Sequence, residues 1–187
     1  MDLPPGFALR PRTDADLGFL SELYAQSRAA ELAPVPWPEE RKRAFLNDQF
    51  CKQHAHYLQH YPTAQWWLVV RDGVPAGRLY LAQTPGELRI MDVTLVPGCR
   101  NEGAGTALMR MLISHADRNR LAITLHVEPF NPAIRLYVRL GFLHVETRGV
   151  YHFMRRPVSV EDDFVGGGVR VAPDGDHEQF EPSALRM

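Results

Sequence analysis

The chain has 187 residues, 45% of them hydrophobic and 23% charged, which is the balance of a globular protein of one domain. Its formal net charge of −1 argues against a dedicated nucleic-acid binder, because neutralising phosphates requires a basic face. Two unpatterned cysteines, the absence of a signal-peptide pattern and the absence of an apolar run of about 20 residues predict a soluble, cytoplasmic protein without a membrane partner.

The first 60 residues predict one strand and two helices. Residues 7–12 alternate and form a candidate edge strand, since Pro11 fits an edge better than a centre. Thr13 or Asp14 can cap a helix that runs to about residue 26, and residues 39–60 predict a second helix.

The following hundred residues predict six further strands and two helices. Asp72-Gly73 is a strong hairpin signal between strands at 65–71 and 74–82. Strands are also expected at 87–96, 121–128, 142–147 and 150–155, with helices at 106–118 and 131–140. The predicted fold is therefore α/β (α+β), with a mixed, mostly antiparallel central sheet of about six to seven strands flanked by about four helices.

The composition changes near residue 157. Acidic residues outnumber basic ones beyond this point, and three consecutive glycines at 166–168 interrupt any regular element. We therefore expect a domain over residues 1–157 and an acidic, glycine-containing extension or tail over residues 158–187.

A glycine-containing loop, Arg100-x-x-Gly103-x-Gly105, lies where a strand meets a helix. Unpaired N–H groups at a helix N-terminus attract anions, and glycines allow close approach, so this pattern favours a phosphate cradle. A tight turn with glycines needed only for the backbone is the alternative. A dinucleotide fingerprint fails because Leu108 stands where the third glycine belongs, and no P-loop sequence occurs.

A second segment at 126–142 follows the loop at a suitable distance. It carries Asn131, Ala133, Ile134, Tyr137, Gly141 and Phe142. Together with the loop and the run 93–97, this segment resembles the GNAT superfamily of acetyl-CoA-dependent N-acetyltransferases, whose fold agrees with the predicted order of elements.

The resemblance implies where acetyl-CoA binds. Its pyrophosphate would lie on the backbone amides of the loop, formed by Arg100, Asn101, Glu102, Gly103, Ala104, Gly105 and Thr106. Its pantetheine arm would follow the strand that carries Val93, Thr94 and Leu95, and Asn131 would help to hold it. The strand at 121–128 would form the other wall, because the two strands splay apart in this family.

The resemblance also implies direct transfer to an amine through a tetrahedral intermediate. The family's acid is commonly a tyrosine at the position of Tyr137, although this residue could equally pack in the core. The oxyanion donor would be a backbone N–H near Leu95. Asp92 and His126 are the two candidate bases; a structural hydrogen bond and a partly buried histidine are their respective alternatives. Glu128 could instead orient the substrate.

Other polar and aromatic residues have simpler explanations. Cys51, His54, His56 and His60 fit a polar helix face better than a metal site, so no metal is expected. An acyl-enzyme at Cys99 is not expected, since no partner histidine is evident. Trp66 and Trp67 are expected to be one core and one surface aromatic, although Tyr57, His60 and either tryptophan could border an acceptor.

The predicted function is acetylation of a primary amine by acetyl-CoA. A small amine or amino-acid derivative is favoured, and a protein N-terminus or lysine is possible. A CoA-binding regulatory or degenerate domain without turnover is the alternative, and an interaction module that uses the acidic tail is a third possibility. The closing strands offer a possible homodimer contact.

Overall fold

The computed structural model describes residues 3–158, which form seven strands and four α-helices. In chain order these are β1 (Phe7–Pro11), α1 (Leu17–Leu32), α2 (Glu39–His60), β2 (Gln65–Arg71), β3 (Val74–Thr84), β4 (Glu87–Leu95), α3 (Ala104–Arg118), β5 (Ala122–Val127), α4 (Ile134–Arg139), β6 (Leu143–Arg148) and β7 (Tyr151–Arg156). Short 3₁₀ turns occupy Asp14–Asp16 and Pro97–Cys99. The expected tail lies outside the described residues.

The seven strands form one sheet in the order β1-β2-β3-β4-β5-β7-β6. Every neighbouring pair is antiparallel except β4 and β5, which run parallel. The predicted mixed, mostly antiparallel sheet is therefore confirmed. The parallel pair forms because the crossover through α3 returns the chain to the same end of the sheet.

The two faces of the sheet are covered by different helices. On one face α1 and α2 bury the cluster Leu20, Tyr24, Leu46, Phe50, Leu68 and Val70. On the other face α3 and α4 pack on a larger cluster that includes Leu108, Leu112, Tyr137 and alternate residues of β4 and β5. Parallel strands covered on both faces are buried throughout, and all six residues of β5 are buried.

Four helix boundaries differ clearly from the sequence prediction. The first helix begins only at Leu17, because Thr13 caps a separate 3₁₀ turn over Asp14–Asp16 and Asp16 occupies the N-cap of α1. The first helix continues to Leu32, because its last turns pack beside α2 and no breaker occurs before Pro34. The third begins at Ala104, two residues early, because Gly103 takes the left-handed conformation that starts it. The fourth begins only at Ile134, since the Asn131 side chain holds the preceding turn by accepting a bond from the Ala133 N–H.

The two adjacent tryptophans are both partly buried, which corrects the expectation of one core and one surface residue. They lie on opposite faces of β2, as alternation requires. Trp66 packs with Tyr57 and Tyr80 under α2, while Trp67 packs against the cluster under α3. Among residues 3–158 no helix is long and apolar enough to cross a membrane.

Candidate active site

The centre of the sheet opens where β4 and β5 separate. Their parallel pairing covers only residues 87–90 opposite 122–125, and both strands continue beyond it. A bulge aids the divergence, because Tyr80 pairs with Asp92 and Leu81 with Ile90, which leaves Met91 without an opposite residue. The splaying implied by the resemblance is therefore present in the fold.

Backbone groups of β4 that face away from β3 line this opening. Val96 donates its N–H to the Ala76 carbonyl of β3 at 2.9 Å. Because successive strand residues direct their backbone groups to opposite edges, those of Val93 and Leu95 point away from β3 and toward the opening. An extended ligand could pair with this edge as an added strand.

The loop after β4 ends in a helix start with open space in front of it. Asn101 and Gly103 have φ of 62° and 84°, and a Cβ on Gly103 would meet no atom within 4 Å. The first helical bond runs from the Ala107 N–H to the Gly103 carbonyl at 2.9 Å, so the amides just before it have no helical acceptor. These N–H groups and the helix dipole favour an anion.

Two charged residues of the loop, Arg100 and Glu102, attach the loop to the sheet. The Arg100 Nε donates to the Leu95 carbonyl at 2.8 Å, so its guanidinium lies across the end of β4. Glu102 pairs with Arg71 of β2 at 2.7 Å, which occupies its carboxylate and ties the loop to the sheet. Glu102 can therefore serve an anion only through its backbone.

Asp92 and Thr94 share a face of β4, as alternation predicts, and both are buried. The Thr94 hydroxyl donates to Asp92 Oδ1 at 2.8 Å, and Arg78 Nη2 donates to Oδ2 at 2.5 Å. Arg78 also donates to Gln53 of α2 at 3.3 Å. Burial by itself lowers the pKa of the Arg78 guanidinium, but the Asp92 carboxylate raises that pKa above its ordinary value.

Tyr137 projects from α4 into the cluster that contains Val93, Leu95, Leu125 and Val127, residues of both separating strands. Its side chain is fully buried, and its hydroxyl finds no hydrogen-bond partner among residues 3–158. Burial raises the pKa of this hydroxyl, and the negative charge of Asp92 raises it further. Tyr137 therefore packs in the core, as one of the two interpretations expects. Its hydroxyl proton makes no hydrogen bond within residues 3–158.

His126 lies on β5 just past the paired region and is 8% exposed. Its ring packs against Phe153, with centroids 5.0 Å apart, and its Nδ1 lies 3.3 Å from Nη2 of Arg89. Because a guanidinium can only donate, Nδ1 is the acceptor, which leaves the proton of a neutral ring on Nε2. Glu128, on the same side, accepts from Arg28 of α1 at 3.3 Å.

Sequence reasoning missed the arginines of this region. Arg78, Arg89 and Arg28 contact Asp92, His126 and Glu128 respectively. Each arginine comes from a different element, so no local spacing joins it to its partner. The signal available in sequence was alternation, which places Arg78 and Tyr80 on one face of β3, but alternation does not give the register.

The remaining sequence candidates lie elsewhere. His56 and His60 stack on each other at 4.0 Å along α2, and no group of three or more potential metal ligands occurs within residues 3–158. Cys99 is buried beside Arg71, whose Nη1 lies 3.8 Å from its sulfur, and Cys51 is exposed. The structure therefore brings Asp92, Tyr137 and His126 to the strand opening and leaves the cysteines and the other histidines out of it.

Comparison with known protein families shows to which family this chain belongs. The sequence model of the acetyltransferase (GNAT) family matches residues 22–142, which include the loop, the separating strands and Tyr137. The chain belongs to the GNAT acetyltransferase family. Members of this family use acetyl-CoA as the acetyl donor, and the unpaired edge of β4 and the open helix start in this chain fit a ligand with an amide-containing arm and a diphosphate.

Solved GNAT structures share the fold. The PaiA N-acetyltransferase of Thermoplasma acidophilum, in complex with coenzyme A, is 18% identical with a TM-score of 0.62, covering 81% of this chain and 98% of its own. The ribosomal-protein-S18-alanine N-acetyltransferase of Escherichia coli is 19% identical with a TM-score of 0.57, covering 86% and 99%. YncA of Salmonella typhimurium, solved with its cofactor acetyl-CoA, is 18% identical with a TM-score of 0.54, covering 85% and 97%. A sequence search of curated proteins finds no significant match.

Proposed function

We propose that this GNAT protein transfers the acetyl group of acetyl-CoA directly to a primary amine. The observation that carries the proposal is the Tyr137 hydroxyl, which is buried among residues of both separating strands without a hydrogen-bond partner in the described chain. A buried donor without a partner is costly, by about 1–3 kcal/mol. A role in protonating the departing thiolate would account for a hydroxyl at this position.

Acetyl-CoA supplies an acetyl group activated as a thioester. The amides of residues 100–106 would hold its diphosphate, with Gly103 giving the close approach. The outward backbone N–H and C=O of Val93 would hold its pantetheine arm, and Asn131 orders the turn before α4 that positions Tyr137. The Leu95 N–H would serve as the oxyanion donor, since it points into the opening.

We assign the base to His126 and a positioning role to Asp92. The Asp92 carboxylate already accepts from Arg78 and Thr94 and has no exposed surface, so taking a proton from an amine would break a buried ion pair. His126 borders the opening and retains a little exposed surface. Its Nδ1 can take the proton once Arg89 moves from that nitrogen, because only the neutral amine attacks.

A small amine or an amino-acid derivative is the acceptor that we favour. The ribosomal-protein-S18-alanine N-acetyltransferase of E. coli, which shares the fold, makes a protein N-terminus the second candidate. Both acceptors present a neutral amine after loss of one proton, so the proposed chemistry is the same for either.

Turnover of acetyl-CoA with a panel of amines tests the proposal. Acetylated product with some amine, and its loss in Tyr137→Phe, is the expected result. Tight CoA binding with no product from any small amine, peptide N-terminus or lysine would instead support a regulatory domain without turnover. Binding is measured separately by calorimetry, so the two functions give different outcomes.

A further inference from the structure

Arg89 is a cation without an acidic partner in the described chain. It is half-buried on β4, its Nη2 lies 3.3 Å from His126 Nδ1, and its guanidinium lies 5.9 Å from the centre of the Tyr61 ring. No carboxylate of residues 3–158 lies within ion-pair distance of it. A partly buried guanidinium gains much from an anion, because its fork of donors matches a carboxylate or phosphate.

The carboxylates on this side of the sheet are engaged by other groups. Glu87 accepts from the Thr124 hydroxyl at 2.8 Å, and Asp92 is held by Arg78. Glu128 is held by Arg28, which also pairs with Glu31. Arg28 and Arg78 therefore have their charges compensated within the described residues, whereas Arg89, the arginine in contact with the proposed base, has no carboxylate partner there.

We propose that Arg89 binds an anionic group of the acetyl acceptor, so that the acceptor is an amine that also carries a carboxylate. This inference rests on the proposed function, because it places the acceptor amine at His126. Arg89 and His126 are in hydrogen-bond contact, so an amine at one and an anion at the other lie within about three hydrogen-bond lengths, each about 3 Å.

That short separation selects the acceptor class. A free α-, β- or γ-amino acid can reach both groups at once. A lysine side chain within a protein cannot, since its backbone carboxyl is in a peptide bond. A carboxylate on Arg89 would also compete with His126 for the guanidinium and release Nδ1, the nitrogen that must accept the proton. Acceptor binding and availability of the base are therefore coupled.

Paired acceptors test this inference through a ratio. For several amino acids, kcat/KM is compared with that of the corresponding carboxamide, which keeps the amine and removes the charge, and with that of the aminophosphonate. We expect the wild type to favour the carboxylate over the amide by at least tenfold. Arg89→Gln should reduce this ratio to about one, and Arg89→Lys should keep part of it, because the charge remains without the fork.

Using a ratio separates substrate recognition from other effects of Arg89 on His126. Arg110→Gln, a change at an exposed arginine of α3, is the matched control and should keep the wild-type ratio. A higher kcat/KM for the aminophosphonate than for the amino acid would show that Arg89 binds an anion, but it would overturn the carboxylate as that anion. Equal rates with acids and amides in the wild type would overturn the inference while leaving acetyl transfer established; no product from any amine would instead refute the proposed function.

Discussion

Arg78 and Asp92 form a buried ion pair across β3 and β4, with Nη2 2.5 Å from Oδ2 and side-chain exposures of 1% and 0%. The pair adjoins the bulge at which β4 turns away from β5. Gln53 connects it to α2, and Thr94 completes the carboxylate's hydrogen bonds. The ion pair therefore fixes the orientation of β4 at the point where the strand opening begins.

Replacement of Asp92 by Asn should destabilise the protein by about 3 kcal/mol, because a buried guanidinium would lose its counter-charge. In Arg78→Met/Asp92→Leu both charges are absent, and most of this loss should be recovered. Urea unfolding measures both variants. If Asp92 is the catalytic base, the double variant will regain stability without activity; a positioning role predicts that activity returns together with stability and with the wild-type pH profile.

The strands and helices could be predicted from the sequence because hydrophobic periodicity depends only on residues that are close together in the chain. Alternation placed Asp92 and Thr94 on one face, and the loop with Tyr137 indicated the family. Local patterns could not supply Arg78 as the partner of Asp92, since the register of β3 on β4 contains a bulge. The contact between Arg89 and His126 was hidden because β4 and β5 are joined through α3, and no local pattern gives the register of such a parallel pair. This contact decides which ring nitrogen carries the proton.

Tyr137→Phe should lower kcat by about 100-fold or more, the usual contribution of a positioned acid. Stability should stay equal or rise, because the variant removes a buried hydroxyl that has no partner in the described chain and preserves the ring. Steady-state kinetics and urea unfolding give the two values. Tyr24→Phe, a change at another buried tyrosine on the opposite face, should leave kcat within about threefold. An unchanged kcat in Tyr137→Phe would show that the residue only packs.

The raised pKa of Tyr137 predicts how stability changes at high pH. An unfolded tyrosine ionises near pH 10, whereas burial and Asp92 hold the folded hydroxyl in its neutral form to higher pH. The folded state therefore binds the tyrosine proton more tightly than the unfolded state does. The resulting contribution to the free energy of unfolding is complete below about pH 10 and is lost as the pH rises through the folded pKa. Unfolding measured from pH 8 to 11 should show a steeper loss in the wild type than in Tyr137→Phe. Parallel curves would contradict the assigned cause of the shift.

Gly103→Ala should weaken acetyl-CoA binding through the backbone. A residue with a Cβ pays about 1–2 kcal/mol for a left-handed conformation, and a shifted loop would move the amides that face the diphosphate. We expect KM for acetyl-CoA to rise about tenfold, with little change in kcat. Gly86→Ala is a close control, since Gly86 has φ of 83° and also has no atom within 4 Å of a built Cβ, but it lies in the turn before β4. A similar KM change in both variants would point to general destabilisation.

Gly77→Ala should disturb the same site by displacing β4, because Gly77 lies opposite Leu95 on the neighbouring strand β3. A Cβ at Gly77 would overlap the Thr94 carbonyl oxygen and lie 2.7 Å from Leu95 Cδ2, so the strand that carries Val93 and Leu95 would have to move. We expect a loss of about 1–3 kcal/mol in stability together with weaker binding of CoA, measured by calorimetry at a temperature where the variant remains folded. Gly18→Ala on α1 meets no atom within 4 Å and should be neutral or slightly stabilising, because alanine favours helices. Full CoA affinity in a folded but destabilised Gly77→Ala would show that the edge of β4 does not hold the pantetheine arm.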